Sequence, residues 1–384
     1  MSGHAGERWV RAAGIAPALA LAVGLVAGGA RAGTDPTQVD AQLGVDPAQG
    51  TSSTGHNTVI APIPISNPSV GTGLALAGML LYKTDPASPD SFTAVGGGYT
   101  SSDSWLVGAG EKLYLKADTW RLTFAAGLGQ INYDFFGIGS ASGSSSIPLE
   151  QKVYGGLFDL RRRSWVDPLH IGLRYGYADV KTVIASTPGP LAPMIDQREF
   201  DLKVAGLGLV ASWDTRDRGF APTRGTYAEF KSNFGRSAFG SDLAFETYSL
   251  SWNAYYSLRA PNVLAARVYL CNVSQSAPFF LTCAYGSGTD LRGYEAGRYR
   301  DRNEIAAQAE YRLRLSRRFG AVVFAGTGSV AGSFGDLFSA TRLPSAGIGL
   351  RFLAAQSQGV NISVDYAWGK SGSSGAYVYI GDAF

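Results

Sequence analysis

Glu304-Ile305-Ala306-Ala307-Gln308-Ala309-Glu310-Tyr311-Arg312-Leu313-Arg314-Leu315 is the stretch that decides the fold class. Its even positions are Glu304, Ala306, Gln308, Glu310, Arg312 and Arg314. Its odd positions are Ile305, Ala307, Ala309, Tyr311, Leu313 and Leu315. Successive side chains of a strand point to opposite faces, so this period of two makes one face polar and charged and the other apolar. The same period runs through residues 244–258. There Tyr248, Leu250, Trp252, Tyr256 and Leu258 oppose Thr247, Ser249, Ser251, Asn253 and Ser257. In residues 170–177, Ile171, Leu173, Tyr175 and Tyr177 oppose His170, Gly172, Arg174 and Gly176. A soluble sandwich alternates in the same way, with its polar face in water. Segment length separates the two readings, because most segments here reach the ~9–11 residues that a tilted membrane strand needs.

Working outward, about sixteen such segments follow one another from residue 58 to the end, an even number as in bacterial outer-membrane barrels. An even count puts both ends of the barrel on the periplasmic side. Connections after even-numbered strands then face the periplasm and should be short, as at Ala117-Asp118, Arg259-Ala260-Pro261 and Ser316–Arg318. Those after odd-numbered strands face outward, and the longest ones, 135–148, 186–197 and 275–301, fall there. The expected fold is an all-β transmembrane antiparallel barrel spanning residues 57–384.

Composition agrees. Charged residues make up 16% of the chain, against ~25% in soluble domains, and the mean hydropathy is +0.01. That balance suits a wall with one apolar and one polar face. The net charge is +3 and part of it lies in the first 32 residues, so no electrostatic case arises for nucleic acid or for recruitment to anionic lipid. Residues 1–32 read as a secretory signal: Arg8 and Arg11, an apolar stretch from Ala12 to Ala30, and a small-x-small site at Ala30-Arg31-Ala32. An uncleaved anchor is the alternative. Residues 33–56 are polar and aperiodic, a linker too short for a folded domain. The two cysteines, Cys271 and Cys283, lie close together in an exported chain, which suggests a disulfide; neither has the spacing of a zinc site.

Three segments resemble the BamA/TamA superfamily of outer-membrane barrels, the bacterial surface antigen family. Leu291-Arg292-Gly293-Tyr294, in the longest outward connection, is similar to the family's (V/L)-R-G-(F/Y). Asp214-Thr215-Arg216-Asp217, followed by Pro222-Thr223-Arg224-Gly225, resembles its D-x-R-D…P-x-x-G turn, on this count a periplasmic one. The run from Asp365-Tyr366-Ala367 to Phe384 resembles its C-terminal strands, and Phe384 resembles the terminal signal of barrels inserted by the assembly machinery, although Asp382 breaks the apolar phase. The resemblance implies that the arginine loop folds into the barrel and that Arg292 pairs with an acid on the inner wall. Glu310 matches that acid and is independently on the polar face; the alternative is an Arg292 in a solvated surface loop. The family's second acid lies in an F-x-D-x-G run. Here the run is Phe324-Ala325-Gly326-Thr327-Gly328, which leaves Glu310 as the single expected partner.

The resemblance further implies a barrel without POTRA domains, acting in outer-membrane biogenesis or in passage of protein or lipid material. Its expected partners are outer-membrane lipid, the barrel-assembly machinery for its own insertion, and an unidentified periplasmic protein. No cofactor, metal or nucleic acid is expected. A passive diffusion porin and an outer-membrane lipid-acting enzyme are the alternatives. Catalysis has little to stand on: of three histidines only His170 lies in a strand, and no nucleophile elbow, zinc signature or P-loop occurs.

Overall fold

The computed structural model describes residues 57–384 except 68, 140–145, 186–194, 219–220, 260, 287–289 and 356–359. The expected signal segment (1–32) and linker (33–56) lie outside the described residues. The strands are β1 (Asn57–Asn67), β2 (Gly71–Tyr82), β3 (Ser91–Thr100), β4 (Trp105–Leu115), β5 (Trp120–Phe135), β6 (Ile147–Arg163), β7 (Leu169–Ile184), β8 (Asp201–Asp214) and β9 (Gly225–Gly235). They continue as β10 (Phe245–Arg259), β11 (Asn262–Val273), β12 (Cys283–Tyr285), β13 (Tyr299–Asp301), β14 (Asn303–Arg314), β15 (Phe319–Ala331), β16 (Ser345–Ala355), β17 (Val360–Gly369) and β18 (Ser374–Ile380).

Sixteen strands form one meander in which every sequence neighbour is a sheet neighbour; only β12 and β13 stand apart, as a two-stranded pair inside the β11–β14 connection. That short pair was not anticipated, since segments of this length carry no readable period. The sheet curls until β1 and β18 lie side by side, with Ser66 Oγ donating to the Ala376 carbonyl at 3.0 Å. No main-chain ladder joins these two strands among the described residues.

Burial settles the choice between sandwich and membrane wall. On β16, Leu350 is 64% exposed while its neighbour Arg351 is 5% exposed. On β17, Val364, Tyr366 and Trp368 face out while Ser363 and Asp365 are fully buried. Apolar groups outside and ions inside is the reverse of a soluble core; it is what a strand in lipid requires. At the end bearing the long connections, loop residues build an apolar cap. Phe279, Phe280 and Leu281 pack on Phe135, Leu149 and Phe245 of the wall, with Phe279 edge-on to Phe135 at 5.3 Å.

Candidate functional site

The connection between β11 and β14 enters the barrel. Its first part is pinned by the Cys271–Cys283 disulfide, which joins β11 to β12 with a Cα–Cα distance of 5.9 Å. Glu304 lies beside the bonded sulfurs, so these three side chains form no ready metal ligand set. The β12–β13 pair then holds Tyr285, Tyr294 and Tyr299 in one cluster, with ring centroids 5.3 and 5.6 Å apart. Between the two short strands the chain reaches Leu291-Arg292-Gly293-Tyr294, all four of them buried.

Arg292 is 1% exposed, and its guanidinium is surrounded. Nη2 donates to Glu310 Oε2 at 2.6 Å, Nη1 pairs with Asp365, and Nε faces Gln308 Oε1 at 3.4 Å. The planar group lies 3.5 Å from the centroid of the Phe324 ring. The backbone is held as well: Ser345 Oγ donates to the Arg292 carbonyl at 2.5 Å, and the Gly293 amide donates to Tyr377 Oη at 2.8 Å. Gly293 has φ of +110°, and a Cβ there would lie 3.0 Å from the Trp368 carbonyl oxygen, so a glycine is needed at this point of close approach. Tyr294 Oη donates to the Pro344 carbonyl at 2.5 Å and accepts from the Lys370 amide at 2.9 Å. The solvated-surface alternative for Arg292 does not describe this geometry.

The expectation that Glu310 stands alone is corrected. Asp365 of β17 supplies a second carboxylate, and the glycine in the β15 run has a packing reason. A Cβ on Gly326 would fall 2.5 Å from Leu291 Cδ1, so the bare backbone is the seat of the docked loop. The ion cluster is also larger than expected. Arg312 Nε donates to Glu310 Oε1 at 2.8 Å and Arg312 Nη1 pairs with Asp382 at 3.0 Å. Arg351 pairs with Asp365 and, through Nε at 2.9 Å, with Asp382. Three guanidinium groups thus meet three side-chain carboxylates, and each of these buried charges has a partner. Arg351, Asp365 and Asp382 were missed, although Asp365 has the inward phase of β17.

Asp382 breaks the apolar phase because the chain has left the wall. The Gly381 amide donates to the Asn361 carbonyl at 2.7 Å, and the tail turns into the lumen mouth. Phe384 packs beside Tyr255, Val263 and Ala265, and its main-chain oxygen accepts from Arg312 Nη2 at 2.7 Å. The D-x-R-D turn lies nearby. Arg216 grips Asp214 through a fork at 2.9 and 2.7 Å, and Asp217 accepts from the Thr223 amide and hydroxyl at 2.8 and 2.6 Å. Gly225 has φ of +100° and its Cβ would meet the Thr215 carbonyl at 2.2 Å. The Pro222 carbonyl touches Arg312 at 3.4 Å, so turn, tail and loop arginine join one polar network. Strands β6 and β9 carry a second network in which Arg161 forks onto Asp159 and reaches Glu229 at 2.8 Å. His170 is buried, its ring nitrogens 3.2 and 2.9 Å from the carbonyls of Pro168 and Asp118.

A meander wall with charges inside, apolar groups outside and an arginine loop docked in its lumen defines a transmembrane barrel of a specialised class. The Omp85 superfamily domain matches residues 106–384, and the chain belongs to that superfamily. Membership places it in the bacterial outer membrane among barrels that are not enzymes. Among solved structures it is similar to BamA from Haemophilus ducreyi lacking POTRA domains 1–3, at 15% identity and a TM-score of 0.58, over 85% of this chain and 70% of that one. It is also similar to CdiB from Escherichia coli, at 12% identity and a TM-score of 0.57, over 86% and 68%. CdiB from Acinetobacter baumannii matches at 10% identity and a TM-score of 0.56, over 85% of this chain, which spans 59% of that protein's length. At these identities the likeness is one of fold. No curated protein sequence matches.

Proposed function

We propose that the chain acts in the insertion of proteins into the outer membrane or in their passage across it, with a periplasmic protein as partner. One observation carries this reading: the lumen is occupied by a loop held through Arg292, Glu310 and Asp365. A diffusion porin keeps a water-filled path, whereas a barrel that handles macromolecules needs a lumen it can keep shut. The enzyme alternative has no support in the site, because both ring nitrogens of His170 face main-chain carbonyls of the turns before β5 and β7, those of Asp118 and Pro168. The test is depletion of the protein in its native bacterium, with quantitative proteomics of outer membrane and medium. Loss of a defined set of outer-membrane or secreted proteins is expected. Unchanged inventories, together with large steady conductance of the purified barrel in planar bilayers, would return the reading to a porin.

A further inference from the structure

The small net charge of the chain conceals an uneven distribution. Strand β10 ends at Arg259, and β14 ends at Arg314 before the turn Leu315-Ser316-Arg317-Arg318. The two turns are neighbours because β11 pairs with β14, and the Arg314 amide donates to Asn262 Oδ1 at 3.1 Å. Arg259 lies opposite Asn262 in the β10–β11 register. Arg259, Arg314, Arg317 and Arg318 therefore crowd one arc of the rim, on the side the strand count assigns to the periplasm, with Arg314 in the lumen-facing phase of β14 and Arg317 and Arg318 in the turn itself, and all four are exposed. Among the described residues no carboxylate pairs with any of them. The acid in the adjoining cavity, Asp382, is committed to Arg312 and Arg351.

The neighbours of these arginines say what the charge is for. Leu258, Leu315 and Phe319 flank them and are 48%, 65% and 57% exposed, with Phe319 tilted against Phe352 at 5.4 Å. These are the last apolar residues of the lipid-facing wall. Guanidinium groups next to them sit where the hydrocarbon ends and phosphates begin, and a planar fork suits a phosphate oxygen pair. An acidic protein segment would satisfy the arginines but leave the apolar flank uncovered, whereas a lipid satisfies both. We propose that this arc binds the phosphate of an anionic phospholipid in the leaflet facing the periplasm, its acyl chains lying along Leu258, Leu315 and Phe319.

The full chain would be reconstituted in nanodiscs of equal parts phosphatidylcholine and phosphatidylglycerol, and the lipids retained on release read by native mass spectrometry. The wild type is expected to retain phosphatidylglycerol in preference. Arg317→Gln and Arg318→Gln should each lower that preference about fivefold, and together multiplicatively. Arg317→Lys keeps the charge but not the fork and should lose less of the preference than Arg317→Gln, which separates a site effect from misfolding; Arg198→Gln, in a connection at the other end, should change nothing. Equal retention of both lipids by the wild type, or an unaltered preference in the double glutamine variant, overturns the proposal. Displacement of the lipid by inorganic phosphate would assign the arc to a free anion instead. Binding of a polyglutamate peptide that is lost in the double variant, with lipid preference unchanged, would assign it to an acidic protein; either result overturns the lipid reading.

Discussion

Replacing Arg292 by alanine removes one cation from a cluster of three guanidinium and three carboxylate groups, leaving Glu310, Asp365 and Asp382 to share Arg312 and Arg351. A unit pair ~4 Å apart is worth ~4 kcal/mol gross at an effective dielectric of ~20, and desolvation offsets much of it. The net consequence of stranding a buried charge is larger, about 3–5 kcal/mol. Arg292→Ala also gives up the stacking over Phe324, leaving the loop to the bonds from Ser345, Tyr377 and Tyr294, the Leu291 seat on Gly326 and the Cys271–Cys283 tether. Glu310→Ala should be milder for the loop, because Asp365 still grips Arg292, and the excess is then one positive charge. In the double variant two cations face two carboxylates again, so its loss of stability should fall well short of the sum of the singles. The wall ladders are untouched in all three, so each variant should still show heat-modifiable migration on gels. Single-channel recordings in planar bilayers supply the readout: Arg292→Ala should raise conductance as the loop leaves the lumen, Glu310→Ala less so. If Arg292→Ala leaves both conductance and protease resistance of the loop unchanged, the arginine is not what holds it.

Four further outcomes are expected. Gly326→Ala forces a methyl against Leu291 Cδ1 and the Ala307 carbonyl, at 2.5 and 2.6 Å; it should weaken loop docking by about 1–3 kcal/mol, seen as faster hydrogen exchange over 291–294 with the barrel intact. The Cys271–Cys283 ring should contribute ~3 kcal/mol to its segment on the loop-entropy account, and peptide mapping without reductant should recover the two cysteines as one linked species; two free thiols would refute it. Glu295, in the loop between β12 and β13, is pushed up to about 7 by burial, with Asp134 adding to the rise and Arg298 opposing it. A carboxyl raised in the folded state gives stability that is full below its ordinary value and lost as pH rises through about 7, so loop protection should fall across that window and Glu295→Gln should flatten the profile. Sequencing the N-terminus of protein from outer membranes should begin at Gly33, and retention of Arg8 would refute the proposed signal.

The wall was legible because lipid imposes the simplest rule in protein folding: alternate side chains, opposite solvents. Residues 304–315 state that rule openly, and the same phase places Glu310 inward before any partner is known. Arg292 was legible by resemblance, its loop being too irregular to carry a period. What stayed hidden depends on register. Asp365 has the inward phase, between Val364 and Tyr366, yet its meeting with Arg292 and Arg351 requires knowing how β14, β16 and β17 stagger around a curved wall. Gly326 read as the loss of an acid; the constraint is the volume of Leu291, which belongs to a segment far away in sequence. Asp382 read as a flaw in an apolar strand, and it marks the point where the chain stops being wall and becomes lumen. The residues that violate the wall pattern are those that fill the space the wall encloses, so in a barrel of this kind departures from alternation near a strand end point to the lumen contents.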